Sequence, residues 1–384
     1  MMKIGLLGHG VVGSGVRKII DRQETPETEK MEIVRILVKS EAEMTDARMT
    51  MNADDILDDP SIDTVCECMG GLEPAHSFVK KAIENGKNVV TSNKKMLASS
   101  AEELFALAAE KHVRLQYEAT CGGGIPWIHE ISHIQRVDDI RSFYGIFNGT
   151  SNYILTRMNS ENQELEPMIK EAQGLGYAER NPSDDVEGWD VRYKTALSSL
   201  AAFHTVVDPD DIPTYGIQNI AMEDIDWCRN NGYTCKLIGS GENHDATVSI
   251  FVRPFFLKKE DVFASIPLNY NALECESNTL GKAVFIGQGA GSLPTAHAVV
   301  QDLIDISEEK ENADAAMNHK PVSAAGYEAV FYIRTKKTAL FNPELIERRV
   351  GSNSFLTKKV SFMDVKVAVQ SVNDEALFLA EVAQ

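Results

Sequence analysis

Positive charge is scarce in this chain. Lysine and arginine number 38 against 57 aspartate and glutamate, a formal net charge of −19 at pH 7, and no basic stripe interrupts the acidic background. That balance excludes nucleic acid and anionic membrane surfaces as partners, because both are gripped by clustered cations. Long apolar runs are missing too: Gly, Lys or Asp breaks each one short of the roughly 18 residues a membrane-crossing helix needs. The opening MMKIGLLGHGVVGSGV resembles a secretory leader, but its interleaved glycines and the missing small-x-small cleavage site argue against one. Cysteine is sparse and unpaired. Cys66, Cys68, Cys121, Cys228, Cys235 and Cys275 include no C-x-x-C and have no paired histidines beside them, which excludes a disulfide framework and a transition-metal site. They read as small buried hydrophobes in a reducing cytoplasm. The ligand class left standing is a small metabolite.

At 384 residues and 43% hydrophobic content, the chain has the length for two or three folded units and the material to fill their cores. The first unit opens with KIGLLGHGVVGSG, an apolar run of strand length, then Gly8, Gly10 and Gly13 in G-x-G-x-x-G spacing, then the helical pattern VRKIIDRQ. The three glycines serve different physical ends. Gly8 permits the turn, Gly10 lets the backbone approach a pyrophosphate, and Gly13 lets helix and strand pack closely. The helix N-terminus then faces the anion. Further strand patterns (MEIVRILV, IDTVCECMG, NVVTSNK, RLQYEAT) alternate with helical ones (PAHSFVKKAIENG, SAEELFALAAEKH), which is the order of a parallel α/β nucleotide domain. An NAD site places an acidic residue at the tip of the second strand. Here that tip reads LVKS, so Lys39 and Ser40 favour NADP, while Glu41 and Glu43 keep NAD open.

A second concentration of chemistry is ERNPSDDVEGWDVRYK, residues 179–194, which gathers Glu179, Asp184, Asp185, Glu187 and Asp190 and ends on Lys194. From Trp189 the pattern is helical. Asp190 and Lys194 stand one turn apart, and Leu197, Ala201 and His204 continue the same stripe. A charged pair on a packed helix face is costly to bury unless compensated, so these residues form either a structural ion pair or part of a reactive cleft. The residues alone leave both readings open. Asp184, Asp185 and Glu187 read as surface charges or helix caps.

Taken in order, GLLGHGVVGSGV, CMGGLEPA, VVTSNKKML, YEATCGGGIP, GIFNGTSNYIL, AQGLGYAERNPSDDVEGWDVRYK and GQGAGSLPTAHAVVQDLI resemble the homoserine dehydrogenase family over roughly the first 310 residues. That family interconverts L-aspartate 4-semialdehyde and L-homoserine with NAD(P)H. The resemblance implies that Lys194 is the general acid, that Lys94 sits beside nicotinamide and substrate, and that Glu179 and Asp190 bind the substrate's polar groups, Asp190 also orienting Lys194. It implies cofactor contacts at Gly8, Gly10, Val11, Val12, Gly13, Lys39, Gly70, Lys94 and Gly291. It further implies a sodium ion held by the Glu118 carboxylate and by carbonyls of Cys121, Gly123 and Ile125, and a homodimer. The implied fold is α/β: a Rossmann-type doubly wound nucleotide domain (1–125, with a returning helix at 290–306), an inserted α+β substrate and dimerisation domain (126–289), and a small C-terminal α/β segment (320–384).

Three departures accompany the resemblance. Where the family commonly has E-x-D-P, this chain has ERNP, so Asn181 removes one acid and Arg180 adds a base. Cys121 replaces a common valine; its thiol invites comparison with thiohemiacetal chemistry, against which its Gly-rich turn without a nearby histidine argues. After a linker in ISEEKENADAAMNHKP, the tail reads strand, helix, strand, helix, a diverged ACT-like unit without the usual glycine-bearing effector loop, and its expected role is structural or dimer-supporting. The competing functions are oxidation or reduction of another amino-acid aldehyde, and a silent NADP-binding sensor; the presence of Lys94, Glu179, Asp190 and Lys194 speaks against silence.

Overall fold

A computed structural model describes residues 1–308 and 317–384, so residues 309–316 of the expected linker lie outside the described residues. The chain divides into two compact units, each assembled from three stretches: 1–137, 196–209 and 287–319 form the first, and 138–195, 210–286 and 320–384 the second. The first unit thus runs past the expected boundary at 125 and also takes residues 196–209. Among the described residues, no helix is long and apolar enough to cross a membrane.

In the first unit, β1 (Met2–Leu7), β2 (Met31–Leu37), β3 (Met49–Thr50), β4 (Thr64–Glu67), β5 (Asn88–Thr91) and β6 (Leu115–Gln116) form a sheet ordered β3-β2-β1-β4-β5-β6. Every pairing is parallel. The connections carry α1 (Val11–Arg22), α2 (Asp54–Leu57), α3 (Ala75–Glu84) and α4 (Lys94–Lys111), and α5 (Trp127–Gln135) follows β6. Covered strands need apolar side chains on both faces, which is why β4 is buried throughout and β1 over its last four residues. The strand order reverses between β1 and β4, the switch point where doubly wound sheets take ligands. The core joins Ile4, Leu6, Val16 and Ile36 to Val299 and Leu303 of the helix Ser292–Ser307. That helix lies against α1 at Gly15, where a Cβ would come within 2.7 Å of the Ser292 carbonyl oxygen and 2.8 Å of the Ala296 Cβ.

The second unit contains β7 (Ile140–Ile146), α6 (Gly149–Glu161), α7 (Leu165–Gly174), α8 (Ser183–Val186), α9 (Trp189–Phe203), α10 (Met222–Asn230), β8 (Tyr233–Asn243), β9 (Val248–Lys258), β10 (Tyr270–Ser277) and β11 (Gly281–Gln288). Residues of α9 from Ala196 and of β11 from Gly287 are counted with the first unit. After α11 (Ser292–Ser307, the helix above), the tail supplies β12 (Glu328–Arg334), β13 (Ile346–Arg349), β14 (Ser354–Thr357), β15 (Val360–Ser361), α12 (Phe362–Val372) and β16 (Phe378–Val382). One mixed sheet runs β11-β10-β7-β8-β9-β16-β12-β14-β13, with β15 on β12. The tail therefore does not close a sheet of its own. β16 pairs parallel with β9 and antiparallel with β12, extending the sheet of the second unit. Two features lock it there: a buried ion pair of Arg253 on β9 with Glu381 on β16, to which the Tyr327 hydroxyl also donates, and an apolar cluster of Phe251, Phe331, Phe355, Phe362 and Val365.

Candidate active site

At the end of β1 the chain turns through Gly8, whose φ of +94° is open to glycine and whose Cβ would stand 2.9 Å from the Cys68 carbonyl oxygen. A Cβ on Gly13 would stand 2.1 Å from the Gly8 carbonyl oxygen, so that glycine is fixed by packing. Gly10 is different: a Cβ there would meet no atom within 4 Å. This is the space a pyrophosphate needs for close backbone approach. Gly10 is the N-cap of α1 and offers no side-chain cap, which leaves the first turn of N–H groups to an anion. The fit to a dinucleotide is therefore steric as well as electrostatic. Val11 is exposed and Val12 half-buried on that first turn, and Gly70 has open space at its Cβ position and a φ of +77°. Gly291 is the N-cap of α11, with a φ of +127°. At the tip of β2, Lys39 is exposed, while the Ser40 hydroxyl donates to Glu43 Oε1 at 3.0 Å.

Lys94 is the first residue of α4 and is half-buried. A cation opposes the positive end of a helix dipole, so helix stability does not account for lysine there. The preceding Asn93 caps the helix by accepting from Met96 N at 3.1 Å and donates to the Gly71 carbonyl at 2.7 Å. Beneath it lies fully buried Glu67, which accepts from the Thr91 hydroxyl at 2.6 Å and from Met69 N at 2.7 Å. Burial raises its pKa above the usual carboxylate range and these donors pull it back. Glu67 and Asn93 thereby fix both the turn after β4 and the start of Lys94's helix.

In the second unit, Lys194 Nζ donates to Asp190 Oδ2 at 2.7 Å and to the Phe147 carbonyl at 2.8 Å. The two charged side chains are only 9% and 8% exposed. The pair is shared with the junction of β7 and α6. Asn148 caps α6 through its Oδ1, which accepts from Ser151 N at 2.7 Å, and its Nδ2 donates to Asp190 Oδ2 at 2.9 Å and to Asp185 Oδ1 at 2.7 Å. Asn271 Nδ2 donates to the same Phe147 carbonyl at 2.8 Å. Helix α9 reaches this depth because β8 carries Gly239 beneath it; a Cβ there would stand 2.4 Å from Thr195 Oγ1 and 3.0 Å from Val191 Cγ1. Glu179 is exposed on the loop before α8. Asn181 turns into its own loop, accepting from the Ser183 hydroxyl at 2.8 Å.

Glu118, in the first unit, is buried and accepts from Ile128 N at 3.2 Å and His129 N at 2.7 Å, closing the first turn of α5. Burial lifts its pKa to about 7 against the pull of His129, whose Nδ1 lies 3.3 Å from Glu118 Oε2. His129 Nε2 is in turn 3.1 Å from Asp302 Oδ1 and 3.1 Å from Asp305 Oδ2. Burial opposes charging this imidazole, but the acids prevail and hold its pKa at about 10. Cys121, Gly123 and Ile125 follow in a tight turn; a Cβ on Gly123 would fall 2.4 Å from the Gly289 carbonyl carbon. Both Glu118 carboxylate oxygens thus already accept from α5, and the Ile125 carbonyl accepts from Trp127 N at 2.8 Å. Among the described residues, no group of three or more His, Cys, Asp or Glu could hold a metal ion.

Sequence reasoning placed Asp190 and Lys194 on one face, and the structure joins them. It read Asp185 as a surface charge or helix cap; the structure puts it in the first turn of α8 and ties it to Asn148 as well. It assigned no role to Asn148, Asn271, Glu67 or Gly15. Only Asn148 carried a local signal, an Asn three residues ahead of Ser151 at a helix start. The others act through contacts distant in sequence.

Comparison with known proteins follows this geometry. Residues 126–304 match the family described as homoserine dehydrogenase, and residues 8–118 match homoserine dehydrogenase, NAD binding domain. The chain is 38% identical over 314 residues to the homoserine dehydrogenase of Bacillus subtilis strain 168, covering 79% of this chain and 72% of that protein. It is 31% identical over 388 residues to that of Pseudomonas aeruginosa, covering 94% and 89%. A crystal structure of a homoserine dehydrogenase from Thiobacillus denitrificans superimposes with a TM-score of 0.88 at 30% identity, covering 100% of this chain and 98% of that one.

Proposed function

The chain belongs to the homoserine dehydrogenase family, and from that premise we propose how its own residues carry the reaction. The enzyme reversibly reduces L-aspartate 4-semialdehyde to L-homoserine with a nicotinamide cofactor, a step toward threonine and methionine. Reduced nicotinamide, when bound, supplies the hydride to the aldehyde carbon. Charge then grows on the carbonyl oxygen, where Lys194 stabilises it and donates the proton. The observation that carries this reading is the buried Lys194 ammonium fixed at 2.7 Å from Asp190 Oδ2, with Asp190 itself held by Asn148. Asp190 orients the ammonium. Glu179, exposed and acidic, meets the substrate's own ammonium together with Asp190, and Lys94 serves nicotinamide and substrate.

The cofactor residues are Gly8, Gly10, Val11, Val12, Gly13, Lys39, Gly70, Lys94 and Gly291. The exposed Lys39 supports NADP, whereas Glu41 or Glu43, the latter accepting from the Ser40 hydroxyl, is the group through which NAD would be taken. Glu118, Cys121, Gly123 and Ile125 would hold sodium, whose role is to set backbone geometry. The active form is a homodimer, and six free thiols support a reducing cytoplasm. By role rather than by compactness, residues 1–125 with the returning helix 290–306 take the cofactor, 126–289 take the substrate and the dimer partner, and the tail from 320 is structural. The test is to incubate the protein with aspartate semialdehyde and NADPH or NADH and identify the product. Homoserine is expected, formed faster with NADPH. Absence of homoserine despite cofactor binding overturns the mechanism, and a strong preference for NADH overturns the Lys39 argument.

A further inference from the structure

We infer that Asn148 is a positioning residue of this active site, acting through its side-chain amide to hold Asp185 and Asp190 apart and in register, so that Asp190 can present Lys194. The inference rests on the proposed role of Lys194 and deepens it.

The geometry is specific. A carboxamide carries two N–H bonds on one nitrogen, and here the two acceptors are Asp185 Oδ1 at 2.7 Å and Asp190 Oδ2 at 2.9 Å. Asp185 belongs to α8 and Asp190 to α9, so one nitrogen bridges two helices joined by a turn through Gly188, whose φ of +87° is glycine geometry. The other end of the amide is anchored, because Oδ1 accepts from Ser151 N at 2.7 Å as the N-cap of α6. The neighbouring backbone contributes as well: the Phe147 carbonyl accepts from Lys194 Nζ at 2.8 Å and from Asn271 Nδ2 at 2.8 Å. Residues 147 and 148 thus contact both members of the Asp190–Lys194 pair.

Two carboxylates converging on one point repel each other unless a donor lies between them. The amide is that donor, and it is neutral, so it separates the acids without competing with Lys194 for the role of cation. A carboxylate at 148 would keep the cap and the size but place a third negative charge at the meeting point. A serine would keep the cap and lose the bridge. Capping alone ranks Asp and Ser about equally with Asn, so these substitutions separate the two duties of the residue.

The experiment measures kcat, KM for homoserine and Kd for NADPH in wild type, Asn148→Ser and Asn148→Asp, with Lys194→Met as the control for the underlying mechanism. Expected are a fall in kcat of about tenfold or more in Asn148→Ser and of about a hundredfold or more in Asn148→Asp. The Kd for NADPH should stay within about twofold of wild type in both, which also reports a folded nucleotide unit. A kcat within about threefold of wild type in either folded variant overturns the inference, as does equal loss in both. Should Asn148→Asp fail to fold, Asn148→Ser decides by its kcat alone. Failure of the underlying mechanism has a different signature: Lys194→Met would then retain turnover, whatever the Asn148 variants do.

Discussion

Replacing both members of the buried pair, Asp190→Asn with Lys194→Met, separates a structural salt bridge from a catalytic one. Lys194→Met alone removes the 2.7 Å bond to Asp190 Oδ2 and the 2.8 Å bond to the Phe147 carbonyl, leaving a buried carboxylate to which Asn148 still donates at 2.9 Å. Breaking a buried pair from one side costs about 3–5 kcal/mol. The retained Asn148 bond places this variant near the lower end, about 3 kcal/mol. Since both side chains are less than a tenth exposed, solvent screening removes little of that cost. Neutralising the partner as well removes the stranded charge, so the double variant should recover to within about 1 kcal/mol of wild type. Activity follows the opposite course. Loss of a general acid lowers kcat by about 10²–10⁴, and the double variant has no acid to restore. Urea unfolding followed by tryptophan fluorescence gives the stability, and homoserine oxidation gives kcat. Recovery of turnover along with stability in the double variant would refute the catalytic assignment.

Two further outcomes follow from buried charge elsewhere in the second unit. Lys236 is fully buried, donating to Asn152 Oδ1 at 2.7 Å and to the Ile266 carbonyl at 2.6 Å, and burial lowers its pKa to about 8 from 10.5. Between those values the unfolded chain holds a proton that the folded chain has released, so stability rises with pH by up to about 3 kcal/mol. Below pH 8 both states are protonated and the burial cost is fully present. Wild type should therefore gain on Lys236→Met between pH 7 and pH 10 in urea midpoints; a difference independent of pH contradicts the assignment. Glu381→Gln leaves Arg253 buried without its counter-ion and should cost about 3 kcal/mol in the second unit. A loss below about 1 kcal/mol would mean that Tyr327 and Ser240, which Arg253 also reaches, suffice.

The parts of this fold written in local pattern were legible. Glycine spacing, apolar strands and intervening helical periodicity located the nucleotide unit because turn, strand and helix preferences are properties of a few adjacent residues. The i, i+4 step from Asp190 to Lys194 was legible for the same reason. What escaped was what the chain brings back from afar. Asp185 reads as one acid among several until Asn148, 37 residues earlier, is set against it. Glu67 looks like the polar end of a strand until Thr91, 24 residues later, donates to it. Gly15 matches no motif, and its reason is a helix that begins at Ser292. The tail was read as strand and helix, but periodicity cannot say which sheet a strand will join, and β16 joins that of the second unit.

The interleaving of three stretches in each unit bears on biosynthesis. A ribosome emits β1 to β6 early, yet α11, which covers α1 and the middle of that sheet, emerges only after residue 292. In the second unit the delay is longer, because β16, at residues 378–382, is translated after every other strand of its sheet and yet is seated between β9 and β12. Until it arrives, β9 and β12 present unpaired backbone to the cell. The strand edges of β9 and β12 that β16 covers therefore stay open through the synthesis of every other strand of that sheet, and open edges are where nascent chains mispair.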